Sequence, residues 1–258
     1  MARNKGSIFT PQSRLAKLFA SLLALCAWQL AAALVGNPLL LVGPVQVLSR
    51  LWALARTGEF WGAVGFTFSR ITLGFLLAFC LALMLAALAA RFSLAEILIH
   101  PYMAAVKTVP VASFIVIALL FLSGRRLSIF ISFLMVLPVL YSNLLQGIRE
   151  ADGKLLEMAR VFRMSGWNRI RCIYLPALEP YCLSGCRSAL GLCWKAGVAA
   201  EVIGVCGGSV GGMLYDAKVY LEIGDLFAWT LVIVLISVGF EWAFTRLLAR
   251  LLRALEGC

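Results

Sequence analysis

The stretch that decides the fold is residues 66–90, FTFSRITLGFLLAFCLALMLAALAA, in which Arg70 is the single charged residue. A helix needs about 20 apolar residues to cross the hydrocarbon core of a bilayer. Lipid offers no water to exposed backbone groups, so spanning segments are helices or closed barrels. This stretch therefore predicts a membrane-spanning helix.

The composition extends this prediction to the whole chain. Of the 258 residues, 62% are apolar and 14% are charged, and the mean hydropathy is +0.96. Soluble domains carry about 45–50% apolar and about 25% charged residues. A water-soluble fold of this size has no means of covering so much apolar surface. The chain is therefore predicted to be an integral membrane protein.

Five more apolar blocks of similar length lie along the chain, so we predict an all-α polytopic membrane protein of about six spans. The spans are placed at about 15–35, 66–90, 101–122, 127–145, 183–205 and 226–248. The first is expected to be a retained helix and not a signal peptide, whose apolar core usually has about 7–15 residues. No repeat or linker divides the chain, which is predicted to be a single domain, 1–258, with its core at about 60–250.

The basic residues predict the orientation. Lys and Arg are concentrated in segments that are cytoplasmic if both termini lie inside, namely the N-terminal tail with Arg3 and Lys5, 91–99, 146–182 and the C-terminal tail. Cytoplasmic loops carry such an excess. Arg125 and Arg126 depart from this rule locally. We therefore expect a multi-pass protein with N- and C-termini in the cytoplasm.

The outer link at 36–65 is not expected to be a loop throughout. Residues 45–54 predict a short amphipathic helix at the outer interface. Trp52 and Trp61 suit the aromatic belt that forms at the level of the lipid headgroups.

Several classes of function are excluded by what the sequence contains. The net charge is +11, yet the basic residues lie between apolar blocks, whereas nucleic-acid binders gather them on one polar face. Eight cysteines without a C-x-x-C pair, together with the single His100, predict no metal site. No phosphate-binding G-x-x-x-x-G-K-[ST] loop occurs. We therefore expect neither enzymatic activity, nor a cofactor, nor binding to nucleic acid.

The most informative segment is 149–180, READGKLLEMARVFRMSGWNRIRCIYLPALEP. Apolar residues at helical spacing predict a first helix at 151–163. Ser165-Gly166 is expected to break it, and a second short helix is predicted at 167–174, ended by Leu175-Pro176. The segment thus predicts a cytoplasmic helix-turn-helix. From the residues alone, it either docks in a groove of a partner protein or packs against the lipid headgroups.

This segment resembles the EAA loop of ABC-importer permeases. In that motif, three residues separate Glu-Ala-Ala from a Gly, and nine more residues separate this Gly from Ile-x-Leu-Pro. The matching positions are Glu157, Met158, Ala159, Arg163, Ile173, Leu175 and Pro176. Met158 stands in place of Ala and Arg163 in place of Gly, so Gly166, after Ser165, is expected to supply the turn instead.

The resemblance covers about 36–250 and is strongest to the permeases of the nitrate/sulfonate/taurine group. Its further marks are Pro38 and Pro44, Thr67 to Arg70, Pro110, Arg187, Trp194, Ala200-Glu201, 209–211 and Asp225. The resemblance implies that the loop's short helix inserts into a cleft of a separate ATP-binding subunit, so that ATP is used only by that partner.

It also implies two copies of this chain, two ATP-binding subunits and an extracytoplasmic solute-binding protein, all assembled at a bacterial inner membrane. The expected activity is alternating access for a small solute, and nitrate, a sulfonate or taurine is the expected cargo.

Four charged residues fall within or at the ends of predicted spans: Lys107, Arg187, Lys195 and Glu201. Each costs about 2.5–3.5 kcal/mol at the bilayer centre on insertion scales. They are candidates for the translocation path of an anion. The alternatives are snorkelling or structural pairing near helix ends.

Five glycines, Gly204, Gly207, Gly208, Gly211 and Gly212, crowd the end of the fifth span. They predict either a close helix approach that shapes a gate or a flexible outer loop. The alternative function for the whole chain is a self-contained secondary transporter or channel, which often shows inverted repeats.

Overall fold

The computed structural model describes residues 14–37 and 40–255, and every regular element in these ranges is helical. The helices are α1 (Arg14–Val35), α2 (Pro44–Ala55), α3 (Gly58–Arg91), α4 (Ser93–Thr108), α5 (Val111–Leu119), α6 (Gly124–Arg149), α7 (Gly153–Val161), α8 (Gly166–Arg169), α9 (Leu175–Ile203), α10 (Val210–Val219) and α11 (Ile223–Leu255). A five-residue π-helix, Ile170–Tyr174, joins α8 to α9. The tail with Arg3 and Lys5, and Pro38, lie outside the described residues.

The core is built from α3, α6 and α9. Phe75 of α3, Leu144 of α6 and Leu190 of α9 are completely buried in one apolar cluster. Small residues bring the helices together, since a Cβ on Gly197 of α9 would lie 2.5 Å from Ser132 Oγ of α6. Such close approach is how helices pack in lipid, where small side chains maximise van der Waals contact.

Among the described residues, three helices are long and apolar enough to cross a membrane: α3, residues 126–149 of α6, and α11. The bent pair α4–α5 makes a fourth if it is counted as one span. The predicted first and fifth spans coincide with α1 and α9. Arg187 and Lys195 lower the mean hydropathy of α9, which is not one of the three helices named above. The count of six spans therefore stays a prediction.

The third predicted span is wrong as a continuous helix. Instead of running through 101–122, it is divided into α4 and α5, which meet at 98°. Val109, before Pro110, is extended at φ −75° and ψ 131°, because a proline ring disfavours a helical residue before it. The predicted link at 91–99 is also wrong, since Phe92 alone separates α3 from α4.

The amphipathic helix predicted at 45–54 is present as α2. Pro44 begins it, where a missing N–H costs no helical hydrogen bond. Thr57 then caps α3 by accepting the Phe60 N–H at 3.3 Å, so α3 starts eight residues before the predicted span. Arg50 of α2 donates from Nε to Asp225 Oδ1 at 2.5 Å and ties α2 to the first turn of α11. This contact raises the pKa of Arg50.

Candidate functional site

The first part of the candidate site is the segment between α6 and α9. Its first helix, α7, is shorter than the predicted 151–163 and begins after Asp152, which caps it by accepting the Lys154 N–H at 2.8 Å. Asp, Asn, Ser and Thr are favoured at this position because their side chains satisfy a free backbone donor. The cap therefore fixes where the helix begins.

The turn after α7 is made by Arg163 and not by Gly166. Arg163 has φ +48°, in the left-handed region that glycine favours. The Met164 N–H returns to the Ala159 carbonyl at 2.9 Å and closes the turn. Gly166 lies inside α8, and the expectation that it supplies the turn is wrong. The position where the EAA motif has Gly is thus the position where the backbone requires a left-handed residue.

The second predicted helix, 167–174, does not end at Leu175-Pro176. Ser165 caps α8 by accepting the Asn168 N–H at 3.3 Å, and the helical backbone then continues through Ile170–Tyr174 into α9. Pro176 is the second residue of α9 and follows the π-helix directly, so the helical backbone passes through it. The prediction of a stop at this proline is therefore wrong.

The segment exposes an apolar surface, which we call the loop face. Its exposed residues are Leu155, Met158, Val161, Phe162, Trp167 and Ile170. Glu157 is also exposed. Ala159 and Ile173 are instead buried and pack the segment onto the rest of the chain. Exposed apolar patches of this kind mark interaction sites.

The loop face is connected to the end of α11. Arg171 donates from Nε to the Leu255 carbonyl at 2.6 Å, and Arg253 Nε lies 3.9 Å from Glu179 Oε1. A cavity of about 390 Å³ lies between this segment and the end of α11. Its lining includes Trp167, Leu175 and Ala254. The segment is thus in contact with the end of α11 as well as continuous with α9.

The second part of the candidate site is a polar stripe along α9. Ser184, Arg187, Ser188 and Lys195 are exposed on one side of this helix, while the other side is buried in the core. Their spacing of three, four and seven residues places them on one helix face. The stripe could have been read from the sequence, because its two serines follow the same period as Arg187 and Lys195.

The four predicted path residues are not brought together in one cluster. Lys107 is exposed on α4 and donates from Nζ to Ser142 Oγ of α6 at 2.8 Å. Arg187 and Lys195 belong to the polar stripe. Glu201 is completely buried near the C-terminal end of α9.

Glu201 accepts hydrogen bonds from two other parts of the chain. Its Oε2 accepts the Thr67 hydroxyl at 2.8 Å and the Gly211 N–H at 3.2 Å. Thr67 Oγ1 in turn accepts the Val210 N–H at 2.9 Å. Within 14–37 and 40–255, Oε1 has no hydrogen-bond partner. The carboxyl group therefore lies against the N-terminus of α10, where negative charge is stabilised.

Gly211 and Gly212 pack closely against the end of α9 and the turn after it, whereas Gly207 and Gly208 face open space. A Cβ on Gly211 would lie 2.3 Å from the Cβ of Glu201, and one on Gly212 would lie 2.2 Å from the Cys206 carbonyl oxygen. Gly208 has φ +73°. Close approach is therefore the interpretation that the geometry supports for this segment.

The fold is that of an all-helical, multi-pass membrane protein. Its candidate site combines the exposed loop face with the polar stripe of α9 and the buried Glu201. Residues 78–254 match the family model described as binding-protein-dependent transport system inner membrane component. The chain belongs to this family, the permease subunits of ABC importers. Membership makes it an inner-membrane transport component that works with a separate ATP-binding subunit and a substrate-binding protein.

Curated relatives of this chain include a putative aliphatic sulfonates transport permease protein, SsuC, of Bacillus subtilis. It is 32% identical over 226 residues, which cover 86% of this chain and 81% of the relative. The nitrate import permease protein NrtB of Synechococcus elongatus is 27% identical, over 83% of this chain and 80% of its own. The bicarbonate transport system permease protein CmpB of the same species is 27% identical over 172 residues, which cover 66% of this chain and 61% of the relative.

Proposed function

We propose that two copies of this chain form the pathway of an importer for a small anion, and that the pathway works by alternating access. The whole chain acts as one domain with both termini in the cytoplasm. The relatives' names support an anionic cargo, because sulfonates, nitrate and bicarbonate are all small anions.

The observation that carries the proposal is the polar stripe of α9. Arg187 and Lys195 are exposed on a helix whose other side is packed in the core of a membrane protein. Charged side chains inside a membrane face a bundle interior, a water-filled cavity or each other. A second copy placed over this side would enclose the stripe and create a basic, water-filled path.

Lys107 extends this basic character to α4, since its hydrogen bond to Ser142 holds the ammonium group beside α6. Cations that line a path raise the local concentration of anions and speed their entry. Glu201, which is buried and hydrogen-bonded, supports the outer end of α9 and does not contact the cargo.

The loop face is the proposed contact with the ATP-binding subunit. A short helix with exposed apolar residues is suited to a groove on a partner, and α7 presents Met158 and Phe162 in this way. Closure of the ATP-binding subunits would move α7. The continuous helical backbone from Gly166 into α9 would then carry the motion to the polar stripe.

Uptake into proteoliposomes tests the proposal. The chain is reconstituted with its ATP-binding subunit and its solute-binding protein, and uptake of labelled ethanesulfonate, nitrate and bicarbonate is measured with ATP. We expect Arg187→Gln combined with Lys195→Gln to lower uptake of the transported anion at least tenfold. Lys218→Gln, an exposed cation in the last turn of α10, is the matched control and should leave uptake unchanged.

ATP hydrolysis is measured in the same preparation. Uptake that is unaffected by the double substitution, with hydrolysis still stimulated by the binding protein, would refute the role of the stripe. Loss of both uptake and complex formation would instead indicate that the subunits no longer assemble.

A further inference from the structure

A groove on another part of the molecule has the shape of a ligand site. None of the residues that line it belongs to α9, which carries the polar stripe. We call this surface the outer groove. It lies between α2, α3 and α11 and has a volume of about 520 Å³. Its floor is formed by Phe60 and Val232, which are buried, and its walls by Leu48, Trp52, Trp61 and Leu235, which are exposed.

The walls of the outer groove are held in place. Trp61 donates from Nε1 to the Ala55 carbonyl at 3.0 Å, and its ring meets Phe60 edge-on with the centroids 5.2 Å apart. Phe60 is in turn stacked on Trp229 at 5.1 Å. An apolar pocket that is already formed binds apolar ligands without a large ordering cost.

One cation, Arg56, lies at the rim of the outer groove. The Arg56 guanidinium lies 5.0 Å from the centre of the Trp52 ring, and Arg56 is exposed. Arginine binds phosphate through several N–H donors in one plane. The first turn of α3, which begins two residues later, carries the exposed Glu59, so Arg56 is the group that would hold a phosphate here. An apolar channel with a phosphate-binding rim is complementary to one end of a phospholipid.

The position of the outer groove agrees with this complementarity. Leu235 and Ile236 belong to α11, which is long and apolar enough to cross a membrane. Trp52 and Arg56 belong to the amphipathic α2 and its end, at the predicted outer interface. A lipid tail along α11 would therefore lie in the hydrocarbon region, with its headgroup level with α2.

An unbranched acyl chain is thin enough to lie along the outer groove between α2 and α11.

We propose that the outer groove binds a phospholipid of the surrounding bilayer, with one acyl chain between Trp52 and Leu235 and the phosphate at Arg56. The bound lipid would fix α2 against α3 and α11. This site is independent of the anion path and of the identity of the cargo.

Photo-crosslinking tests the proposal. The full chain is made with Leu235→benzoylphenylalanine, purified in detergent, mixed with phosphatidylglycerol at a low molar ratio and irradiated, and adducts are identified by intact mass. Val234→benzoylphenylalanine is the control, because Val234 is equally exposed on α11 but points about 100° away. We expect at least fivefold more lipid adduct at position 235.

Equal lipid adducts at both positions would overturn the proposal, since they would show only lipid that surrounds the protein without a site. An adduct of residue 235 with a second protein chain, seen after irradiation of native membranes, would overturn it in favour of a protein partner.

The rim is tested separately by Arg56→Gln, which should lower retained phosphatidylglycerol about three- to tenfold in native mass spectra. Arg246→Gln is matched to it, because Arg246 also stacks on an exposed tryptophan, Trp242, at 3.9 Å. Equal losses in the two variants would refute the assigned phosphate position.

Discussion

Thr67 Oγ1 donates to Glu201 Oε2 at 2.8 Å and accepts the Val210 N–H at 2.9 Å, so that one hydroxyl group joins α3, α9 and the start of α10. All three partners are buried. A buried donor or acceptor that loses its partner costs about 1–3 kcal/mol. These hydrogen bonds hold α3, the C-terminal end of α9 and the start of α10 together.

The first prediction concerns this attachment. Glu201→Ala removes the acceptor of both Thr67 and the Gly211 N–H, and we expect the melting temperature of the purified protein in detergent to fall by several degrees. Glu201→Gln keeps one acceptor oxygen and should have the smaller effect. A Glu201→Ala variant as stable as the wild type would show that these hydrogen bonds are replaced by others.

The second prediction concerns the turn at Arg163. Arg163→Gly should stabilise the loop segment by up to about 1 kcal/mol, because a left-handed backbone costs an L-residue about 1–2 kcal/mol and the entropy of Gly offsets part of this. Hydrogen exchange of residues 158–166 measures it. Arg160→Gly, three residues earlier in helical α7, is the matched control and should destabilise by about 1 kcal/mol. Effects of the same sign would contradict the assigned turn.

The third prediction concerns the contact between α2 and α11. A double-mutant cycle with Arg50→Met and Asp225→Asn should give a coupling free energy of about 0.5–1 kcal/mol, as for a pair that is half exposed on one side. Thermal unfolding measures all four proteins. A coupling indistinguishable from zero would show that α2 is held by its apolar contacts alone.

The fourth prediction concerns the partner of the loop face. Glu157→Lys should abolish co-purification of the ATP-binding subunit, since Glu157 is exposed beside the apolar residues of α7. Glu222→Lys, a charge reversal at the opposite end of the chain's helical bundle, should leave the complex intact. Failure of the wild-type chain to retain any ATP-binding subunit would refute the assigned docking surface.

Much of the fold could be predicted because lipid demands long apolar helices. The spans predicted at 127–145 and 226–248 lie inside α6 and α11. The sequence shows Pro110, yet the predicted span at 101–122 runs through it as one continuous helix. The effect of this proline depends on whether neighbouring helices accept a bend, which local sequence does not contain.

The candidate site was less predictable, for two physical reasons. The positive φ of Arg163 accompanies the Met164 N–H bond that closes the turn, and an arginine gives no sign of it by residue type. Glu201 and Thr67 are separated by 134 positions in the chain. Side chains so far apart meet only through tertiary packing, whereas the polar stripe of α9 follows from helical spacing alone.

The unbroken course of α9 makes it a lever. Its 29 residues span about 43 Å at 1.5 Å per residue. A tilt of roughly 5° about one end would therefore displace the other end by about 4 Å, comparable with the width of a small anion. α9 is joined to a π-helix at one end and held by the Thr67–Glu201 hydrogen bond near the other. Under the proposed alternating access, a modest movement at the π-helix end of α9 would therefore be sufficient to widen or close a path near its other end.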